Sequence, residues 1–224
     1  MSFASKKVSL ILLSACVGFS NSCSPVSLQT DPPLNITEYI SKSWYVQQQQ
    51  LNGYQSLNDL YCVTATYNVD KNSHVPFFDG TVISVYNYAN RGKVNGQYTN
   101  NSTVLCAREP NSSAPEKLLV APCFLPNIFG GNYWILAAGP ISYNYEWAVI
   151  IGGEPSVRVT NETCTTKESG VNGAGLWLFS REQVLEQSKL DVMRNILMKN
   201  NISTSKLYNV SQMGCNYTNA FLKE

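Results

Sequence analysis

Eight short runs of strand-forming residues, divided by turn-forming clusters, constrain this chain more than any other feature. They are Trp44 to Gln50, Tyr61 to Tyr67, Thr81 to Tyr88, Lys93 to Cys106, Lys117 to Ala121, Asn132 to Ala138, Tyr145 to Gly152 and Ala174 to Ser180. Val, Ile, Thr, Tyr and Trp recur within the runs, and Gly, Asn, Pro and Ser fill the gaps. Such a series predicts an antiparallel sandwich or barrel. After Ser180 the period changes: Val184, Leu185, Leu190, Val192, Met193, Ile196 and Leu197 fall on an approximate helical stripe between Val184 and Met198. A short final strand is predicted from Lys206 to Ser211, ahead of Gly214 and Cys215. No repeat, charge block or Gly/Ser linker interrupts this order, so the chain reads as one mainly β domain with a late helix. Eight strands can close into a barrel, which removes exposed edges and leaves an interior for side chains or one small ligand.

The N-terminus points to a compartment. Lys6 and Lys7 precede an apolar run from Val8 to Phe19, and Ser20-Asn21-Ser22 offers small residues before a cut ahead of Cys23. This is the anatomy of a secretory signal over residues 1–22, and the run is too short for a comfortable membrane span. A competing reading makes Leu13-Ser14-Ala15-Cys16 a lipoprotein box with a lipid on Cys16. Sequons at Asn35, Asn100, Asn101, Asn111, Asn161, Asn201, Asn209 and Asn216 favour a glycosylated, secreted product. Cleavage leaves Cys23, Cys62, Cys106, Cys123, Cys164 and Cys215, an even set that reads as disulfides in an oxidising compartment. Six cysteines allow 15 pairings, and without a C-x-x-C pair no redox or zinc-knuckle motif is present.

Charge and composition exclude other classes. The formal charge is +1, from 16 basic and 15 acidic residues, which argues against a nucleic-acid partner. The single histidine, His74, sits in a loop that reads as solvent-facing, and one imidazole makes no His-rich metal site. No nucleophile-elbow Ser, phosphate loop or paired-carboxylate motif appears. The catalytic and metal sets are therefore empty.

Several segments together resemble the lipocalins, of the apolipoprotein D and bacterial-lipocalin group. Tyr39-Ile40-Ser41-Lys42-Ser43-Trp44-Tyr45-Val46 resembles the family's first strand, with Lys42 where the family usually has Gly. Cys62-Val63-Thr64-Ala65-Thr66-Tyr67 is similar to the second. Tyr133 to Ala137 and Trp147 to Ile150 resemble the sixth and seventh, and Leu176 to Arg181 the eighth. The resemblance spans Cys23 to Cys215 and is poor between Asn95 and Cys123.

It implies a lipocalin domain over residues 23–224: an eight-stranded antiparallel up-and-down barrel with one C-terminal helix packed outside and a short final strand. It implies a floor in which Arg181 lies over Trp44. Strand parity with Arg181 turns Trp177 and Phe179 inward, and the family match adds Tyr67, Tyr133 and Trp147 to the cavity wall. The plain alternative is that these aromatics simply fill the interior. The resemblance also implies bridges Cys62–Cys215 and Cys23–Cys164, which leaves Cys106 and Cys123 for each other. A plain hairpin would not bring those two face to face, so that bridge requires a bulge or a fold-back of the loop.

The expected function is a secreted carrier of a small hydrophobic ligand such as a fatty acid, sterol, carotenoid or tetrapyrrole, with no cofactor. A cell-surface receptor or lipoprotein particle is a candidate partner, and no integral membrane span is expected. The alternatives are a lipocalin-fold enzyme acting on a lipid or xanthophyll, for which Cys62 is the candidate thiol, and an extracellular interaction module without a ligand.

Overall fold

The alternating runs become strands that close on themselves. The computed structural model describes residues 23–99, 105–140 and 143–224; the leader with Cys16, the sequon residues Asn100 and Asn101, and Ser142 lie outside the described residues. The strands are β1 (Trp44–Gln49), β2 (Tyr61–Val69), β3 (Val82–Arg91), β4 (Gln97–Tyr98), β5 (Leu105–Arg108), β6 (Lys117–Pro122), β7 (Gly131–Gly139), β8 (Trp147–Ile151), β9 (Val157–Arg158), β10 (Cys164–Thr165), β11 (Leu176–Ser180) and β12 (Tyr208–Asn209). A one-turn helix, α1 (Ile36–Tyr39), precedes β1, and α2 (Gln187–Lys199) follows β11. β1, β2, β3, β5, β6, β7, β8 and β11 pair antiparallel in that order, and β11 returns to β1 to close the barrel. β12 bonds to β1 from outside, and β9 and β10 form a small ribbon between β8 and β11.

Two boundaries differ from the sequence reading. The run from Lys93 to Cys106 is not one strand. Gly92 and Asn95 take left-handed backbone, with φ of 79° and 55°, and turn the chain. β4 therefore pairs with the end of β3 at Asn90 and Arg91, while β5 pairs with Val82 to Val85 and takes the barrel position. The helix begins at Gln187 rather than Val184, which is exposed.

The barrel wall separates two apolar layers. Val63, Ala65, Tyr67, Ile135, Ala148, Ile150 and Phe179 share the inner cluster. Leu136, Val149, Ile151, Leu176 and Leu178 point outward and bury Met193 and Leu197 of α2. Full burial of each such side chain contributes about 1.5–3 kcal/mol, which accounts for the helix docking here. The helix ends in a Schellman motif: Asn201 is left-handed at φ 54°, its N–H bonds to Met198 O, and Ile202 N–H bonds to Leu197 O at 2.9 Å.

Three bridges tie the outer segments to the wall: Cys23–Cys164, Cys62–Cys215 and Cys106–Cys123. The last explains how a hairpin pair that does not face can still join. Cys106 stands opposite Ala121, and Cys123 lies just beyond β6. A turn with Leu125 N–H bonded to Pro122 O folds the chain back, bringing the two Cα atoms to 4.9 Å. His74 is exposed.

Candidate functional site

The floor of the barrel is built by α1, the start of β1 and the end of β11. Trp44 is fully buried, and its indole N–H donates to Tyr39 O at 2.9 Å. The guanidinium of Arg181 lies 3.5 Å from the centre of the Trp44 ring, a cation held on an aromatic face. Its N–H groups donate to the carbonyls of Tyr145, Lys42, Ser43, Glu38 and Tyr39. An arginine has five N–H donors, so all are committed and none remains for an anion. Burial pulls the Arg181 pKa down to about 10, which leaves it charged at neutral pH.

Above this floor stands a chain of three phenols. Tyr133 Oη is 2.6 Å from Tyr39 Oη and 2.8 Å from Tyr67 Oη. Burial raises the pKa of all three above the ordinary tyrosine value, so the group is neutral at physiological pH. Tyr39 comes from α1, Tyr67 from β2 and Tyr133 from β7, so three distant segments converge here. The indole of Trp177 stacks on Tyr133 with centroids 6.3 Å apart.

Over the phenols opens a cup of about 60 Å³. Val63, Ala65, Val85, Val120 and Phe179 form its apolar wall, Tyr67, Tyr133 and Trp177 its aromatic part, and Tyr54 and Gln55 its mouth. None of the lining residues is charged. Gln49 also lines the cup: it lies opposite Trp177 across the β1–β11 seam and is fully buried. Gly175 sets the place of Trp177. Its φ is +107°, and a Cβ there would come within 1.9 Å of the indole. The mouth loop is pinned by Asp59, whose carboxylate accepts from Arg91 Nε at 2.7 Å and from Ser56. Burial alone would raise the Asp59 pKa, but these bonds outweigh it and hold the carboxyl below its usual range.

One expected wall residue is elsewhere. Trp147 pairs with Ser180 and Gly139 and belongs to the outer layer beneath α2, not to the cup. The cause is register. Trp177 and Phe179 face inward opposite Ile150 and Ala148, so Trp147, one residue from Ala148, must face outward. Its ring instead covers Gly139, where a Cβ would meet it at 2.3 Å. Cys62 is bonded to Cys215 and packs outside the barrel with Tyr88 and Ala220, so it presents no thiol to the cavity.

Two groups of the site escaped the sequence reading, Gln49 in the lining and Tyr39 beneath it. Gln49 sits in a polar run, Gln47 to Gln50, at the end of the first predicted strand, where no apolar alternation marks a face. The signal that locates it is a register shift between Val46 and Gln48, which returns Gln49 to the inner face. Tyr39 precedes β1 in a one-turn helix, where no strand parity applies. Of the sequon residues, Asn111, Asn161, Asn201, Asn209 and Asn216 are exposed, and Asn35 is half-buried as the cap of α1. No group of metal-ligating side chains occurs among the described residues. No helix among them is long and apolar enough to cross a membrane.

A closed eight-stranded antiparallel barrel with a cup at one end and a helix on its flank is the lipocalin fold. No family model matches the sequence, and no curated protein matches it. Among solved structures, apocrustacyanin C1 is similar at 16% identity and a TM-score of 0.55, over 89% of this chain and 94% of that one. Apocrustacyanin A1 of lobster gives 18% identity, a TM-score of 0.52 and coverage of 85% and 89%. The cockroach allergen Per a 4 gives 15%, 0.51, and 88% and 98%. At these identities the likeness establishes the fold.

Proposed function

We propose that the protein is a secreted carrier that holds a small hydrophobic molecule in the barrel cup. One observation carries this reading: the cup is uncharged and lined mainly by apolar and aromatic side chains, with Tyr54 at its mouth and few polar groups. Ligand entry removes apolar surface from water at about 25 cal/mol per Å² before entropic losses. A cup of about 60 Å³ is small beside the roughly 300–1,000 Å³ of sites for drug-sized ligands. A compact ligand fits this volume better than a sterol, carotenoid or tetrapyrrole, which would need Tyr54 and Trp177 to swing aside. Residues 1–22 serve in this reading as a cleaved signal, and the exposed sequons carry glycans. The pairing of Cys23 with Cys164 and of Cys62 with Cys215 supports placing the chain near the apolipoprotein D group.

Titration of the purified protein with a panel of apolar molecules is expected to give saturable quenching of tryptophan fluorescence. Trp177→Ala is expected to weaken binding at least about tenfold, the equivalent of losing roughly 1.4 kcal/mol of buried contact. Trp44→Ala, assayed under conditions where it remains folded, is expected to leave affinity nearly unchanged. The reverse ranking contradicts the cup assignment, and a panel without any saturable response contradicts the carrier reading.

A further inference from the structure

We infer that the cup selects uncharged, compact, hydroxylated molecules and rejects carboxylates and amines. The inference rests on the carrier reading above and narrows it to a ligand class. Three features of the cavity lead to it.

The first is the absence of charge. A carboxylate entering the cup leaves its water behind and meets no cation, because every lining residue is neutral. The nearby cation, Arg181, is stacked on Trp44 and has all its donors on backbone carbonyls. An ammonium group likewise finds no carboxylate among the lining residues. Burying an unpaired charge is strongly unfavourable.

The second is a proton count. Tyr39, Tyr133 and Tyr67 have three hydroxyl protons, and two hydrogen bonds join them. Either oxygen of each pair can donate, and the one proton left over sits on Tyr67 or Tyr133 in two of the three arrangements that these bonds allow. Both of those residues line the cup, whereas Tyr39 does not. In those arrangements the base of the cup offers one neutral donor to a ligand oxygen.

The third is a buried acceptor. Gln49 Nε2 donates to Gln55 Oε1 at 3.0 Å, whereas Gln49 Oε1 is buried with no hydrogen-bond partner. Buried polar atoms are nearly always paired, and one left over in a cavity wall points to a missing donor. A ligand O–H supplies that donor, which neither a hydrocarbon nor a carboxylate can do. A donor at Tyr67 or Tyr133 and an acceptor at Gln49 are together complementary to hydroxyl chemistry.

The test uses four probes on one skeleton: benzyl alcohol, toluene, benzoate and benzylamine, titrated against the intact disulfide-bonded protein by ligand-observed NMR. Benzyl alcohol is expected to bind about fivefold or more tightly than toluene, the usual size of a net neutral hydrogen bond. Benzoate and benzylamine are expected to bind at least tenfold more weakly than the alcohol. Tyr67→Phe and Gln49→Met are each expected to lower the ratio of benzyl alcohol affinity to toluene affinity at least about threefold. Far-UV circular dichroism and the unfolding midpoint show that each variant keeps its fold. Equal or tighter binding of either charged probe overturns the inference, as does an alcohol advantage that survives both substitutions. Binding of larger apolar molecules with no response to any of the four overturns the compact class while sparing the carrier reading. Silence from the four probes and from the larger panel overturns both.

Discussion

Replacing Trp44 with alanine is expected to destabilise the protein by about 3–5 kcal/mol, the range for truncating a large buried aromatic. For a domain of this size that lowers Tm by roughly 6–20 °C. The ring is fully buried, stacks on Arg181, donates to Tyr39 O, and packs against Tyr39 and Phe179 with centroids 5.3 and 6.2 Å away. Its removal opens a cavity under the floor and strips a buried guanidinium of its aromatic face, while nothing nearby is free to fill the gap. Denaturant unfolding of wild type and variant, followed by far-UV circular dichroism, measures the difference. A loss below about 1 kcal/mol, the level of an ordinary surface substitution or little more, would show that the floor does not hold the barrel closed.

The second large effect is expected on removal of the Cys62–Cys215 bridge. The two residues are 153 apart, and loop-closure entropy gives about 5 kcal/mol for a loop of that length, within reach of the 2–5 kcal/mol measured for lost native disulfides. The bridge also organises the last segment of the chain. Beyond Cys215 the tail runs down the outer wall, and Lys223 exchanges hydrogen bonds with Ser43 beside the floor. The paired variant Cys62→Ala, Cys215→Ala should therefore lose more stability than Cys106→Ala, Cys123→Ala. The latter bridge closes a separation of only 17 residues, worth about 3 kcal/mol on the same scale. Unfolding transitions of the two variants decide the order, and equal losses would contradict the entropic account.

How much of this was legible in the sequence depends on which physical signal each residue carried. The barrel strands were readable because turn-forming clusters bound them and β-branched and aromatic residues fill them. Trp177 was placed on the inner face by parity with Arg181, two strand steps away. For Trp147, which the family match puts on the cavity wall, the sequence offers no such check: every residue from Trp147 to Ile151 is apolar, and an unbroken run gives no alternation to assign a face. Only the pairing with β11 fixes that. Gln49 was hidden by the opposite problem: its neighbours are polar, and a register shift that no local pattern announces turns it inward. The turn from β3 into β4 follows from left-handed backbone at Gly92 and Asn95, of which only the glycine is an evident signal. Tyr39 reaches the base of the cup through tertiary contact alone, from a short helix before the first strand.

The central claim is that a ligand occupies the cup rather than the outer surface. Ala65 lines the cup on β2, is buried, and stands in register with Trp44 of β1 and Asn87 of β3. Ala65→Leu adds an isopropyl group to a cavity of about 60 Å³, at a folding cost of about 1–3 kcal/mol for overpacking. The measurement is the affinity of the tightest ligand in the apolar panel for wild type and for this variant, both folded by circular dichroism. A loss of at least tenfold in the variant is the result this account requires. Equal affinity in the two proteins would place the ligand outside the barrel and contradict it.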